Sequence, residues 1–330
     1  MLRTKRLFFS LPEDDYSPRT DLAMEAVADL RAPTVRDVEH QREETAEAVI
    51  SRVNIKSQQA AQSMGKLPGL YVTIEAPVLR QRNREAQQKV AELFARELAN
   101  FVQLEENDPV FVVGLGNWQA TPDALGPKVV EQLMVTRHLY NMVPPEVRGG
   151  LRPVSALAPG VLGLTGIETG EIVQGIVEKT KPKLVIAIDA LASRSTSRLA
   201  STIQISNSGI KPGSGVGNHR FGITKETLGV DVIAVGVPTV VGAVTIASEA
   251  MEAITKPTPR QMPPGTVPLF VSEEQKKAAL KRLLSPFMGN LMVTPKEVDV
   301  LIEDLATTLA SGLNAFLHPK LDLDNVLRYL

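Results

Sequence analysis

The chain has 330 residues, 43% of them hydrophobic, and a net charge of −1. That is enough apolar material for one large α/β domain or two smaller ones, while the even charge balance argues against a nucleic-acid binder, which carries a basic excess on one face. The absence of cysteine excludes disulfides, thiolate metal sites and a cysteine nucleophile, and it fits a cytosolic protein.

In chain order, MLRTKRLFFSLPEDD opens like a signal peptide with three basic residues, but the apolar stretch Leu7 to Leu11 is too short and Pro12 follows at once. No run approaches the roughly 20 apolar residues that cross a bilayer, so a soluble intracellular protein is expected. Residues 1 to about 45 are rich in charge and carry Pro12, Pro18 and Pro33; they read as a loosely attached segment. Strands are predicted over 48–55 (AVISRVNI) and 69–74 (GLYVTI), then a helix over about 81–104 with Val90, Leu93, Phe94 and Leu98 on one face. The pattern then alternates: strand 109–115, helix 122–139, strand 152–157, helix 168–180, strands 183–189 and 202–206, strand 230–237 and a helix around 240–255. Val/Ile runs separated by helices predict a mostly parallel central sheet with helices on both faces, a phosphorylase- or hydrolase-like α/β fold with extra N-terminal strands. A Pro-rich linker, Lys256 to Pro268, precedes C-terminal helices near 273–286 and 295–316.

Ligands and reacting groups collect at the carboxyl ends of strands in such sheets. After strand 109–115 comes GLGNWQATPD, which resembles a dinucleotide fingerprint and fails as one. The third glycine is replaced by Gln119, and Pro122 and Asp123 bring bulk and negative charge to a helix start where a pyrophosphate would sit. Asp123 either complements the helix dipole or does chemistry. Asp189 ends an otherwise apolar strand in VIAIDALASRSTSR, where a buried carboxylate is costly unless paired or used. Two carboxyls facing one cleft cannot both ionise freely. The ionised one takes a proton from water and the protonated one donates to a leaving group, which is hydrolysis with neither cofactor nor nucleophilic side chain.

Other readings are weaker. Ser193, Ser195, Thr196 and Ser197 lie outside any G-x-S-x-G elbow, and His40, His138, His219 and His318 show no metal-ligand spacing. Arg194 and Arg198 either form surface ion pairs or hold acidic groups of a substrate. The Gly-rich loop at 213–217 lacks the Lys-Ser/Thr ending of a phosphate-binding loop and is either a tight turn or part of a substrate groove.

GLGNWQATPDALGP, VIAIDALASRS, TIQISNSGIKPGSGVGNHR, VIAVGVPTVV, VTPKEVD and GLNAFLHP, in that order, resemble the blocks of the germination protease family of spore-forming bacteria. The likeness runs from about residue 19 to 318. It implies an aspartic-type endopeptidase that degrades small acid-soluble spore proteins, with a fold like that of hydrogenase maturation peptidases, whose G-x-G-N turn is followed six positions later by an acidic residue. That position is Asp123 here, and the implied catalytic pair is Asp123 with Asp189. The resemblance also implies a self-processing zymogen. SPRTDLAMEA places the cut between Asp21 and Leu22, giving a propeptide over 1–21 and one α/β peptidase domain over 22–330, helical beyond about 270. Gly116, Asn117 and Arg194 are expected to shape the site, with backbone N–H groups of the GLGN turn facing the oxyanion. The resemblance further implies a homotetramer in the spore core, with no metal, cofactor, nucleic acid or membrane partner. The rivals are a peptidyl-tRNA hydrolase, for which Thr136, Arg137 and His138 follow Asn117 at too great a distance, and a non-catalytic α/β binding module.

Overall fold

The apolar runs build one sheet whose two faces are separately covered. A computed structural model of the chain describes residues 37–140, 150–210, 221–255, 272–284 and 291–320, together with positions 21, 22, 24, 25, 142, 144 and 148. Its strands are β1 (Val38–Glu44), β2 (Val49–Ile55), β3 (Gly69–Glu75), β4 (Val110–Gly114), β5 (Val154–Leu157), β6 (Leu184–Ser193), β7 (Thr202–Ser206), β8 (Asp231–Gly242) and β9 (Met292–Val293). The helices are α1 (Gln58–Ser63), α2 (Arg84–Phe101), α3 (Leu125–Glu131), α4 (Arg137–Tyr140), α5 (Leu162–Thr165), α6 (Thr169–Thr180), α7 (Lys225–Leu228), α8 (Ala243–Thr255), α9 (Glu273–Leu284) and α10 (Val298–Leu317).

The strand order is β1-β2-β3-β7-β8-β6-β4-β5, with β9 pairing antiparallel to β8 off this path. β5, β4, β6 and β8 run parallel, as their intervening helices demand. The other half is antiparallel, so the α/β sheet is more mixed than the Val/Ile runs suggest. The physical reason is local: β1 and β2 are joined by a turn too short for a crossover, and β2 to β3 likewise lacks a long helix. β1 also corrects the reading of residues 1 to 45 as loosely attached, because Val38–Glu44 forms an edge strand in full register with β2. Its side chains are mostly exposed and charged, which hides the strand from a hydrophobic pattern and suits an edge.

Alternation along the central strands fixes the two faces. Val110, Val112, Leu184, Ile186 and Ile188 join Phe94, Leu98, Leu125, Leu305 and Leu309 in the main core beneath α2, α3 and α10. Phe111, Val113, Val185 and Ala187 point the other way and pack with Val173 and Val177 of α6 and Leu228 of α7. On that same face, at the antiparallel end, Val53, Ile55 and Tyr71 pack with Ala60 and Ala61 of α1. Between these two patches the face is polar yet buried: Ser51, Thr73, Gln204 and Asp189 lie there. A polar strip of this kind must be covered by something that hydrogen-bonds to it.

The predicted helix over 122–139 breaks into a short 3-10 turn at Thr121–Asp123, then α3, then α4. The Met134 and Thr136 N–H groups bond Asn314 and Val154 rather than the preceding turn, which ends α3, while Gly126 sets how the helix start meets the strand. An added Cβ at Gly126 would meet the Leu115 carbonyl oxygen at 2.3 Å, and one at Gly114 would meet the Gly126 carbonyl at 2.2 Å. Strand end and helix start therefore touch backbone to backbone. The Gly-rich loop at 213–217 lies outside the described residues.

Candidate active site

β4 sends its chain to β5 on one side and β6 lies on the other, so the crevice between the carboxyl ends of β4 and β6 is the switch point of the parallel half. Asp123 and Asp189 both reach this crevice. β4 stops at Gly114, paired with Ile188, while β6 runs on beside β8 as far as Ser193. Asp189 is therefore not the end of its strand, contrary to the sequence reading. It stands where one neighbour departs and the other continues.

The turn after β4 is built around Asp123. Asn117 donates its backbone N–H to the Asp123 carboxylate at 2.9 Å and to its carbonyl at 3.1 Å. Asn117 Oδ1 accepts from Gln119 N–H at 2.9 Å, closing the turn on itself. Gly116 has φ of +114°, and a Cβ there would lie 1.9 Å from the Asp123 carbonyl oxygen. Both residues thus fix the turn that carries Asp123. The Asn117 N–H serves the Asp123 carboxyl group, so it does not face an oxyanion.

Asp189 is buried and accepts the Ala190 N–H at 2.9 Å. Burial first, then the negative charges of Asp123 and Asp21, hold its carboxyl well above the usual carboxylate range. The crevice thus favours the protonated form of Asp189 beside Asp123, and a third acid has joined them.

That third acid is Asp21. It lies against the part of β6 that outruns β4: its N–H donates to the Ala192 carbonyl at 3.1 Å and its carboxylate accepts the Ala192 N–H at 2.9 Å. Lys66 Nζ and Gln204 Nε2 both donate to the Asp21 carbonyl oxygen, at 2.8 and 3.2 Å. Burial raises the Asp21 carboxyl, opposed by the Ala192 N–H and the Lys66 charge, while burial lowers Lys66, opposed by Asp21 and Glu25. Leu22 is wholly buried. Glu25, also buried, accepts from the Arg194 N–H at 2.9 Å and pairs with the Arg198 guanidinium at 2.8 Å. Residues 21, 22 and 25 are therefore firmly held, which corrects the expectation of a poorly anchored segment around them.

Of the two arginines, Arg198 supplies its guanidinium to an acid and Arg194 its backbone. Lys66 lay in no motif, and Gln204 lay in the TIQIS block without being singled out. The signal available was a polar residue at an inward position of the apolar strand TIQIS. Thr136 of the T-R-H triplet is buried against β5, bonded to Arg152 and Val154 backbone atoms, which is a structural use.

Two carboxyl groups beside the switch point of the parallel strands, with a peptide segment held next to them, mark this crevice as the candidate active site of a hydrolase-like α/β fold. The family profile described as germination protease matches residues 20–269 and 265–330. Curated germination proteases from Bacillus thuringiensis subsp. konkukian and Bacillus mycoides are each 46% identical, spanning 95% of this chain and 97% of theirs. The chain belongs to the germination protease family, and it is a peptidase. Among solved structures, a [NiFe] hydrogenase maturation protease, HycI, from Thermococcus kodakarensis aligns at 19% identity over 55% of this chain and 90% of its own, with a TM-score of 0.25.

Proposed function

We propose that the protein is an endopeptidase made as a self-processing zymogen, that Asp123 and Asp189 activate water, and that the first bond cut is Asp21–Leu22. Its substrates are small acid-soluble spore proteins, degraded in the spore core at germination. The observation that carries the reading is the position of residue 21: its charge acts on Asp189 together with that of Asp123, and its carbonyl accepts hydrogen bonds from Lys66 and Gln204.

Asp189, whose carboxyl is raised by burial and then by the charge of Asp123, acts as the acid and Asp123 as the base. Asp123 takes one proton from water as the water oxygen bonds to the residue 21 carbonyl carbon. The carbonyl electron pair moves onto its oxygen. On collapse the C–N bond breaks, and the Leu22 nitrogen leaves with the Asp189 proton. The new carboxyl group of residue 21 keeps the water oxygen. Held acids at residues 21 and 25, four positions apart, support recognition of a segment with an acid on each side of its aliphatic pair.

Asp123→Asn and Asp189→Asn should each yield a folded chain that keeps its N-terminus, while N-terminal sequencing of the aged parent reads from Leu22. Full self-cleavage in either variant overturns the pair. Because the acid must hold its proton, processing should be faster at mildly acidic than at alkaline pH. A rate rising steadily through pH 8 refutes the assignment.

A further inference from the structure

The two donors on the residue 21 carbonyl both come from the antiparallel half of the sheet, Lys66 from the loop after α1 and Gln204 from β7, and each is positioned by its own element. Lys66 follows α1 through a tight exit. Gly65 takes φ of +61°, its N–H bonds the Gln62 carbonyl at 3.2 Å, and the Lys66 N–H bonds Ala61 at 2.9 Å. This is the glycine-terminated helix exit in which the two residues after the cap reach back to the last turn, so the Lys66 backbone has one direction to leave. Gln204 sits in the middle of β7. Its register partner on β8 is Gly236, whose partner on β6 is Asp189. The row therefore runs Asp189, Gly236, Gln204, and the space over Gly236 is filled by the Leu191 side chain of β6, which an added Cβ would meet at 2.4 Å. The Gln204 carboxamide and the Asp189 carboxyl project from the same face of the sheet, the face opposite Ile188 and Ile205.

We infer that Lys66 and Gln204 are catalytic residues that form the oxyanion site, polarising the scissile carbonyl in the ground state and holding its negative charge in the tetrahedral intermediate. The inference rests on the proposed function, since it needs the Asp21–Leu22 bond to be the one cut. The chemistry is suited to the place. The Asn117 N–H of the G-x-G-N turn already serves Asp123, whereas an ammonium and an amide converge on a single oxygen at 2.8 and 3.2 Å. A cation in a dry crevice stabilises a developing oxyanion more than a neutral donor does. Lys66 also faces the carboxylates of Asp21 and Glu25, so its positive charge belongs to the bound segment as a whole.

The test uses the full chain acting on a peptide with a T-E-(I/F)-A type segment, in parallel with a peptide carrying Gln in place of that Glu. Lys66→Met and Gln204→Met keep side-chain volume and remove the donors; melting curves report folding. Each should lower kcat by roughly 10²- to 10³-fold, the loss for one oxyanion donor, with KM changed less than about threefold. For Lys66→Met the fold-loss should be the same on the Gln peptide. If the Lys66→Met loss disappears on the Gln peptide, or falls in KM alone, Lys66 reads the acidic side chain and the inference fails. Near-parental kcat in both variants also overturns it. Should Lys66→Met fail to fold, Lys66→Gln, which keeps one neutral donor, should fall between parent and Gln204→Met. Asp123→Asn and Asp189→Asn run alongside separate the two claims. Inactive Asp variants with fully active Lys66 and Gln204 variants leave the mechanism standing without this oxyanion site, whereas active Asp variants remove the mechanism itself.

Discussion

At the residue scale the crevice stores a titration penalty as well as chemistry. A carboxyl whose folded value is raised binds its proton more tightly in the fold than in the unfolded chain. Its contribution to stability is whole below the unfolded value of about 3.9 and is lost as pH rises through the folded value. Asp189 is such a group, raised by burial and by the charges of Asp123 and Asp21. Asp189→Asn keeps the shape and removes the titration. The variant should therefore gain stability over the parent as pH rises from about 4, by at most about 1.4 kcal/mol per pH unit, and the gap should close in acid. Urea midpoints at pH 4, 6 and 8 measure it, and a gap independent of pH contradicts the raised carboxyl. The same residue shows what a sequence can carry. An aspartate in VIAIDALAS marks itself because the only other polar residue in the strand is Ser193 at its far end. Lys66 does not, since a lysine after a short helix is ordinary and only the folded chain brings it to residue 21.

At the element scale, buried charge ties the antiparallel half to the helix that covers it. Glu97 of α2 is fully buried, and Arg52 of β2 holds it twice, at 2.9 and 2.6 Å, while Arg96 and Glu43 complete the group. Removing one partner of a buried pair costs more than the pair contributes, because the remaining charge stays in the dry interior. Arg52→Met should destabilise by about 3 kcal/mol, somewhat below the upper range for buried pairs because Arg96 remains. Arg52→Met combined with Glu97→Gln should recover part of the loss, and a double variant no more stable than the single one contradicts this account. Elements were legible where periodicity was strong: α2, α6, β7 and the apolar strands lie within a few residues of their predicted spans. They were illegible where tertiary pairing decided. β1 is a strand because β2 offers an edge, and β6 continues past Asp189 because β8 runs beside it. The helix predicted over 122–139 stops early because the Met134 N–H bonds Asn314 and the Thr136 N–H bonds Val154 instead of the preceding turn. Asp123 was legible from its place after β4 and Asp189 as a charge in an apolar strand, but the register row that adds Gln204 needs the strand order, which no local pattern encodes.

At the scale of the whole molecule, the C-terminal helix closes the structure and carries a pH dependence of its own. α10 packs on α2 so closely that a Cβ at Gly312 would meet the Ala91 carbonyl at 2.7 Å. Its far end clamps two other segments. Asn314 accepts the Met134 N–H at 3.0 Å, and the buried Arg152 guanidinium donates to the carbonyls of Phe316 and Leu317 at 3.4 and 3.0 Å. His318, the residue after α10, is 1% exposed. Its Nδ1 accepts the Arg152 N–H at 3.4 Å, which leaves the proton on Nε2, facing the Met134 carbonyl at 3.4 Å. A second proton has no acceptor to face, and burial, reinforced by the Arg152 charge, pushes the imidazole down to about 4. A histidine lowered in the fold leaves stability untouched above its unfolded value of about 6.5. As pH falls below that, the unfolded chain takes up a proton that the fold refuses, so stability declines until the folded value is reached, by about 3 kcal/mol in total. His318→Gln, which can still accept from Arg152 and donate to Met134, should flatten this decline. Chemical denaturation between pH 7 and 5, above the range where most carboxylates titrate, isolates the effect. Parallel slopes in parent and variant would mean that the ring already charges inside the fold.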